Sequence, residues 1–416
     1  MQTIKMKNAG MSADERNRLR ELARKCAEIA RLPETEEKVK AWTAHNKGEG
    51  YRPMVVVELN NLDEVEDVPL VCNDPVAKQT EQKLLSYITA HNIGDDTVTP
   101  PDMPVPVNVA VLSFNTKKTI VHASTGSDSR IVPFITNLTK DIETLPSMTY
   151  SYDAERLKQR AERVGEAVGD ILPVRLYNPN RMFVPFRWIV EAMGMEYMYL
   201  AMAEEQDAFH RMMEQIEQDI YGYLRWLEEN KLLFLNNNSD YVASGGYGFT
   251  DELPRREIGG DLVRSTDIWG HLSAQECVGV SPGMYREFVY PYYKRIADQF
   301  GLLYYGCCES VATFWDSIRD FPNLRKVSVS PWCEEAPVGE FLAGSNIIYS
   351  RKPSPNCLIN QKDFLYDEYV GYIKKTAGLT RQCKAEYILL DTYIMNSNTK
   401  KMKQAVEIIR KYAAYD

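Results

Sequence analysis

Two adjacent thiols and a carboxylate, Cys307, Cys308 and Glu309, follow directly on an apolar run, Leu302 to Tyr305, in the stretch FGLLYYGCCESVATFWDSIRDFPNLRKVSVSPWCEE. A third thiol, Cys333, closes the next β-rich run, Lys326 to Ser330. Thiolate, imidazole and carboxylate are the groups that hold zinc in a tetrahedral array. Neighbours leaving a strand point in different directions, so a Cys-Cys-Glu run cannot close such a site alone. One of Cys307 and Cys308, with Glu309 or a group from another strand end, can do so. His271, Cys277, Cys333 and Asp391 are the candidates to complete it. The competing reading is structural: unpaired cysteine is often a small buried apolar residue.

The elements that must position these groups are strands alternating with helices. Val311, Phe314, Trp315 and Ile318 fall at helix spacing after the thiols, and Pro322 with Asn323 stops that helix. Strand, helix, strand is the unit of parallel sheets, whose chemistry collects at the strands' carboxyl ends. Core strands are expected at 55–59, 173–177, 232–235, 268–273, 302–305, 326–330, 346–349 and 386–390. That repeat predicts an α/β chain folded as a (β/α)8 TIM barrel with an N-terminal α/β extension. Residues 1–150 would hold the N-terminal helices, the first strand and the elaboration, and residues 151–416 the remainder of the barrel. A doubly wound open sheet is the alternative. The glycine-rich SGGYGF matches no dinucleotide fingerprint or phosphate loop.

Strand ends arranged this way form one polar ring: Asn178, Asn236, Asn237, Gln275, Glu276, the thiol run, Ser330, Cys333, Lys352 and Asp391. Cys307, Glu309 and Asp391 are the expected catalytic groups. Asn236, Gln275, Glu276, Trp269 and Lys352 would line the substrate pocket. Cys307, Cys308, Glu309 and Cys333 are the expected metal ligands. Asp95 and Asp96, beside the proline-rich TPPDMPVPV, read as a turn and an extended loop. Ser12 with Glu15 forms a capping-box pattern opening an amphipathic helix, which packs on the body or on a second subunit.

Composition bounds the function. The 416 residues carry a formal net charge of -9, unlike the basic surface of a dedicated nucleic-acid binder. No apolar run approaches the roughly 20 residues that span a bilayer, and the first residues lack the apolar core of a secretory signal. Eight cysteines without framework spacing fit a reduced, cytoplasmic protein.

The pattern WGHLSAQECVGVSPGMYREFVYPYYKRIADQFGLLYYGCCES, followed by NLRKVSVSPWC and SRKPSP, resembles the uroporphyrinogen decarboxylase-like superfamily, and within it the methyltransferase-like branch. AWTAHNKGEGYRPMVVVE and GGYGFTDELP are similar to the same branch. The resemblance implies a (β/α)8 barrel. The decarboxylases' RQAGR-like arginine motif is absent here. For the methyltransferases it implies methyl transfer to or from a corrinoid protein or a thiol, with zinc bound through His-x-Cys and a later Cys. Zinc would lower the pKa of a bound thiol or polarise the methyl donor. On this chain Cys307 falls on the first Cys, Tyr305 stands where the His would be, and no Cys falls near Asp391 to Tyr393. The expectation is a methyltransferase-type enzyme, with zinc as suspected cofactor, a corrinoid-carrying protein as partner and a homodimer as its assembly. The alternatives are a lyase gripping carboxylates through Arg175, Arg187, Arg351 or Lys352, and a barrel that binds a corrinoid or tetrapyrrole without chemistry.

Overall fold

The computed structural model describes residues 10–415 apart from positions 60, 61, 63, 64, 66, 118, 123–128, 180, 181, 244, 358–362 and 391–397. Its centre is a parallel sheet. Eight strands are labelled in chain order: β1 (Met54–Val57), β2 (Met103–Pro106), β3 (Val174–Tyr177), β4 (Trp269–Leu272), β5 (Leu302–Tyr305), β6 (Leu324–Val329), β7 (Ile348–Arg351) and β8 (Lys384–Leu389). Six of them form one ladder in the order β1-β8-β7-β6-β5-β4, and the two-residue strand Met182–Phe183 pairs with the free side of β4. Strands β2 and β3 make a separate parallel pair.

Alternation along the strands divides their residues between two surroundings. Val55, Leu303, Tyr305, Val327, Tyr349, Ala385 and Tyr387 belong to the main apolar core, which includes residues from helices on that side. The intervening residues include His271, Tyr304, Lys326, Ser328, Ser350 and Glu386, all buried. A sheet covered on both faces by helices is ordinarily apolar on both. Here one face is a buried polar interior, bounded by two small apolar clusters around Trp42 and Trp269.

A glycine-rich hairpin, Tyr241–Val242 with Gly246–Tyr247, packs against that interior. A Cβ on Gly246 would stand 2.9 Å from Glu386 Oε1, and one on Gly248 would stand 2.0 Å from the Asn236 carbonyl oxygen. Close backbone approach, rather than phosphate binding, therefore accounts for these glycines.

Three expectations about elements are corrected. Residues 232–235 form no regular strand. Asn236 instead pairs through its side chain, accepting from Trp269 N at 2.9 Å and donating to Trp269 O at 3.0 Å. The proline-rich segment does form a strand, β2. Met103 N and Val107 N donate to Pro173 O and Tyr177 O, each at 2.8 Å, so Pro104 and Pro106 interrupt no bond at these two points. The helix expected after the thiols shrinks to one turn, Trp315–Ile318.

Asp95 and Asp96 are more than a turn. Asp96 N donates to Val55 O at 2.7 Å, while its carboxylate takes Val55 N, both Arg52 nitrogens and Arg410. Asp95 accepts from Val57 N at 2.8 Å. The segment thus lies along β1 where a further strand would pair. The Ser12 and Glu15 capping box is formed, and the helix it opens, Ala13–Ala30, buries Leu19, Leu22, Ala23 and Cys26. Among the described residues no helix is long and apolar enough to cross a membrane.

Candidate functional site

The thiol loop is tied down through five of its backbone groups. Gly306 turns the chain at the end of β5 with φ +95°, a conformation costly for any residue with a Cβ. Its amide donates to Leu272 O at 2.8 Å, and its carbonyl lies 2.9 Å from His271 Nε2. The hydroxyl of Ser328 donates to Cys307 O at 2.7 Å, and that of Ser330 to Cys308 O at 2.9 Å. Both serines belong to β6 or its carboxyl end. The Cys307 and Cys308 sulfurs are 3.7 Å apart, with Cys308 exposed and Cys307 half-buried.

Glu309 is a clamp. One oxygen accepts from Ala274 N at 2.9 Å, the other from Cys307 N at 2.8 Å and the Ser273 hydroxyl at 3.2 Å. Burial pushes its pKa up, and these donors oppose that shift. The carboxylate therefore ties the end of β4 to the thiol loop.

Behind the thiols a chain of polar groups crosses the sheet interior. Lys352, just past β7, is 3 % exposed. Its ammonium donates to the Tyr304 hydroxyl, to Ser350 Oγ at 2.9 Å and to Ser350 O at 3.2 Å. All three partners are neutral, and burial lowers the lysine to about 7, although the thiols of Cys307 and Cys308 and the carboxylate of Glu386 pull it upward. A lysine so placed is half neutral near physiological pH and can take a proton. Tyr304 and Ser350 hydroxyls are 2.5 Å apart, and Ser350 Oγ donates to Glu386 Oε1 at 2.6 Å. Glu386 Oε2 accepts from Lys326 at 2.8 Å, and that ammonium lies over the rings of Trp42 and Trp269 at 5.3 and 5.7 Å. His45 Nε2 comes within 3.4 Å of the same oxygen without a hydrogen bond, and burial keeps the imidazole neutral. Burial likewise lowers His271 to about 4, so its ring is neutral too.

Other expected site residues have different placements. Asn236 and Trp269 pair with one another, and Trp269 Nε1 donates to Gly248 O at 2.9 Å in a fully buried position. Asn237 donates to Leu253 O at 2.7 Å. Gln275 donates to Glu276 Oε1 at 3.2 Å; the other Glu276 oxygen is buried with no hydrogen-bond partner among the described residues, and burial raises that carboxyl. Cys333 is buried, with its sulfur 3.8 Å from both Ser310 Oγ and Glu334 O. Asp391 lies outside the described residues.

The arginines of the lyase reading are already engaged. Arg175 is forked onto Asp240 and bonded to Asp102. Arg351 holds Glu335, two carbonyls and the Tyr372 hydroxyl. Arg187 pairs with Glu191 on the surface. Zinc fits poorly: among the described residues no three His, Cys, Asp or Glu groups converge, and Glu309 spends both oxygens on the loop itself.

Lys326, Tyr304, Ser350, Glu386 and His45 were not singled out from the sequence as site residues. Their signal was there: Lys326 and Glu386 set charges inside strands beside residues of the apolar core, Val327, Ala385 and Tyr387.

A solved structure, a methyltransferase from Methanosarcina mazei, superposes on 91% of this chain and 99% of its own length, with a TM-score of 0.52 at 13% sequence identity. The fold is shared with a methyltransferase. No protein-family model matches the chain, and no curated protein matches it.

Proposed function

We propose that the chain is a methyltransferase-type enzyme on a (β/α)8 barrel, moving a methyl group between a small substrate and a thiol or corrinoid-protein acceptor. The observation that carries this reading is a vicinal thiol pair near Lys352, a buried amine that feels the charge of both thiols and is hydrogen-bonded, among the described residues, only to neutral groups. The sequential order β4 to β8 and back to β1 in the ladder supports the barrel, with Asp95 to Thr97 lying along its β1 edge and Asn236 along its β4 edge. The fold shared with a methyltransferase supports the reaction class.

In this reading neutral Lys352 takes the Cys307 proton, and the thiolate attacks the substrate methyl carbon. The S–CH3 bond forms as the bond from carbon to the leaving group breaks, and that group departs with the electron pair. A nucleophilic acceptor then attacks the methyl carbon as the S–CH3 bond breaks, its electron pair returns to the Cys307 sulfur, and the Lys352 ammonium gives the proton back. No step is routed through zinc. The engaged state of Arg175 and Arg351 weighs against a carboxylate-gripping lyase.

The test is methyl exchange with methylcobalamin as donor. Wild-type protein should demethylate it in the presence of a free thiol, and Cys307→Ser should lose at least about a hundredfold in rate, as loss of a nucleophile does. Binding of the corrinoid without demethylation would replace this reading with a non-catalytic one.

A further inference from the structure

A second feature lies apart from the thiols, on the helix side of β2. There a cavity of about 730 Å³ opens between the helices Pro75–Ile93 and Ala154–Val168. It is lined by Arg156, Arg160 and Arg163, whose spacing sets them on one face of the second helix. A smaller cavity of about 120 Å³ adjoins it, sharing Arg160, Gln79 and Pro106, and adds Lys83 and Tyr177 to its walls.

The cations here are unequally satisfied. Arg163 is neutralised by Asp74 at 2.8 Å. Arg160 has only an amide, donating to Gln79 Oε1 at 2.7 Å, and it is half-buried. Lys83 lies over the Tyr87 ring at 4.8 Å. Burial lowers the pKa of both Arg160 and Lys83. Neither forms an ion pair with a carboxylate among the described residues, in a chain whose net charge is -9. The one acid lining the larger cavity, Asp153, is exposed and caps its own helix by accepting from Arg156 N at 2.9 Å. The Asp240 carboxylate acts on Lys83 only through space, already forked by Arg175, and Arg160 has no carboxylate partner among the described residues. Partly desolvated cations so weakly countered are costly, and an anion seated between them offsets that cost. Val76, Val107, Val109 and Leu157 supply an apolar wall beside them.

We propose that this double cavity is a binding site for an organic anion, with its phosphate or carboxylate head between Arg160 and Lys83 and its apolar body along the valine and leucine wall. An arginine fork suits either head. The site is separate from the thiol chemistry and stands or falls independently of it.

Isothermal titration of the full chain with inorganic phosphate, phenyl phosphate and benzoate tests it, with sodium chloride matched in ionic strength as control. Phenyl phosphate or benzoate should bind at least tenfold more tightly than inorganic phosphate. Arg160→Gln and Lys83→Gln should each weaken binding tenfold or more, with circular dichroism unchanged. Should either variant misfold, the Arg156→Gln variant provides a second reading, with a loss of threefold or more expected. No saturable heat with any of the three anions, or unchanged affinity in folded Arg160→Gln and Lys83→Gln proteins, overturns the site. Equal affinity for phosphate and phenyl phosphate overturns the apolar subsite.

Discussion

The Lys326 ammonium stands 2.8 Å from the Glu386 carboxylate, and neither side chain is exposed to solvent at all. Two tryptophan rings flank the lysine, and Ser350 bonds the carboxylate's other oxygen. Such a pair costs much to desolvate and recovers that cost only while both charges are present. Lys326→Met should therefore destabilise the fold by about 3–5 kcal/mol, the range for stranding one buried charge. Combining it with Glu386→Leu should restore a large part of that loss. Denaturant midpoints of the two single variants and the double variant measure the coupling, and purely additive losses would show that the pair is not a unit.

Lys352 makes stability and rate depend on pH in the same window. Its folded pKa, about 7, lies below the ordinary lysine value of 10.5, so the folded chain binds fewer protons there than the unfolded chain. The cost of burying it is fully present below about 7 and is relieved as pH rises toward 10.5. Lys352→Met should thus be more stable than wild type at pH 6, with the gap shrinking by pH 9. On the proposed mechanism the methyl-transfer rate rises through pH 7, and Lys352→Met loses that ascending limb. Parallel melting curves and pH–rate profiles check both.

Alkylation should rank the cysteines by placement. Cys308 is exposed and Cys307 half-buried, whereas Cys26, Cys277 and Cys383 are buried, with burial pushing Cys26 to about 12 and Cys383 to about 11. Thiolate is the reactive form. Iodoacetamide followed by peptide mass spectrometry should label Cys308 first and Cys307 next, leaving the buried thiols, Cys26, Cys72, Cys277, Cys333 and Cys383, until the chain unfolds. Early labelling of Cys277 would contradict the packing at the end of β4.

Glu309 separates a clamp from a catalyst. Removing its carboxylate leaves the buried Ala274 amide without an acceptor, at about 1–3 kcal/mol, and frees the half-buried Cys307 amide. Glu309→Ala should lower the melting temperature and alter Cys307 alkylation rates together. A variant with unchanged stability and lost turnover would instead assign Glu309 to the chemistry.

What could be read from the sequence follows from how local each determinant is. The strand carrying the thiols was legible because Leu302 to Tyr305 is apolar and ends in glycine. Ser12 announced its helix through capping chemistry that needs no tertiary partner. Strand β2 was hidden because its prolines read as loop, and only its pairing with β3 shows that they break no ladder bond where it is seen. Asn236 was placed in a pocket because its amide points along the sheet only once Trp269 is beside it. The interior chain from His45 to Lys352 joins residues 307 positions apart in sequence, and no window of sequence contains it.

The anchoring of the 306–308 carbonyls to His271, Ser328 and Ser330 has a further consequence for selectivity. A loop tied to its neighbours at successive residues cannot remould itself around whatever arrives. The sulfurs keep a constant bearing, and an incoming electrophile must present its carbon along that line. On the proposed methyl-transfer reading, discrimination between small and bulky methyl donors is then a matter of approach trajectory, and engineering a broader donor range would begin by loosening Ser328 and Ser330 rather than by enlarging a cavity.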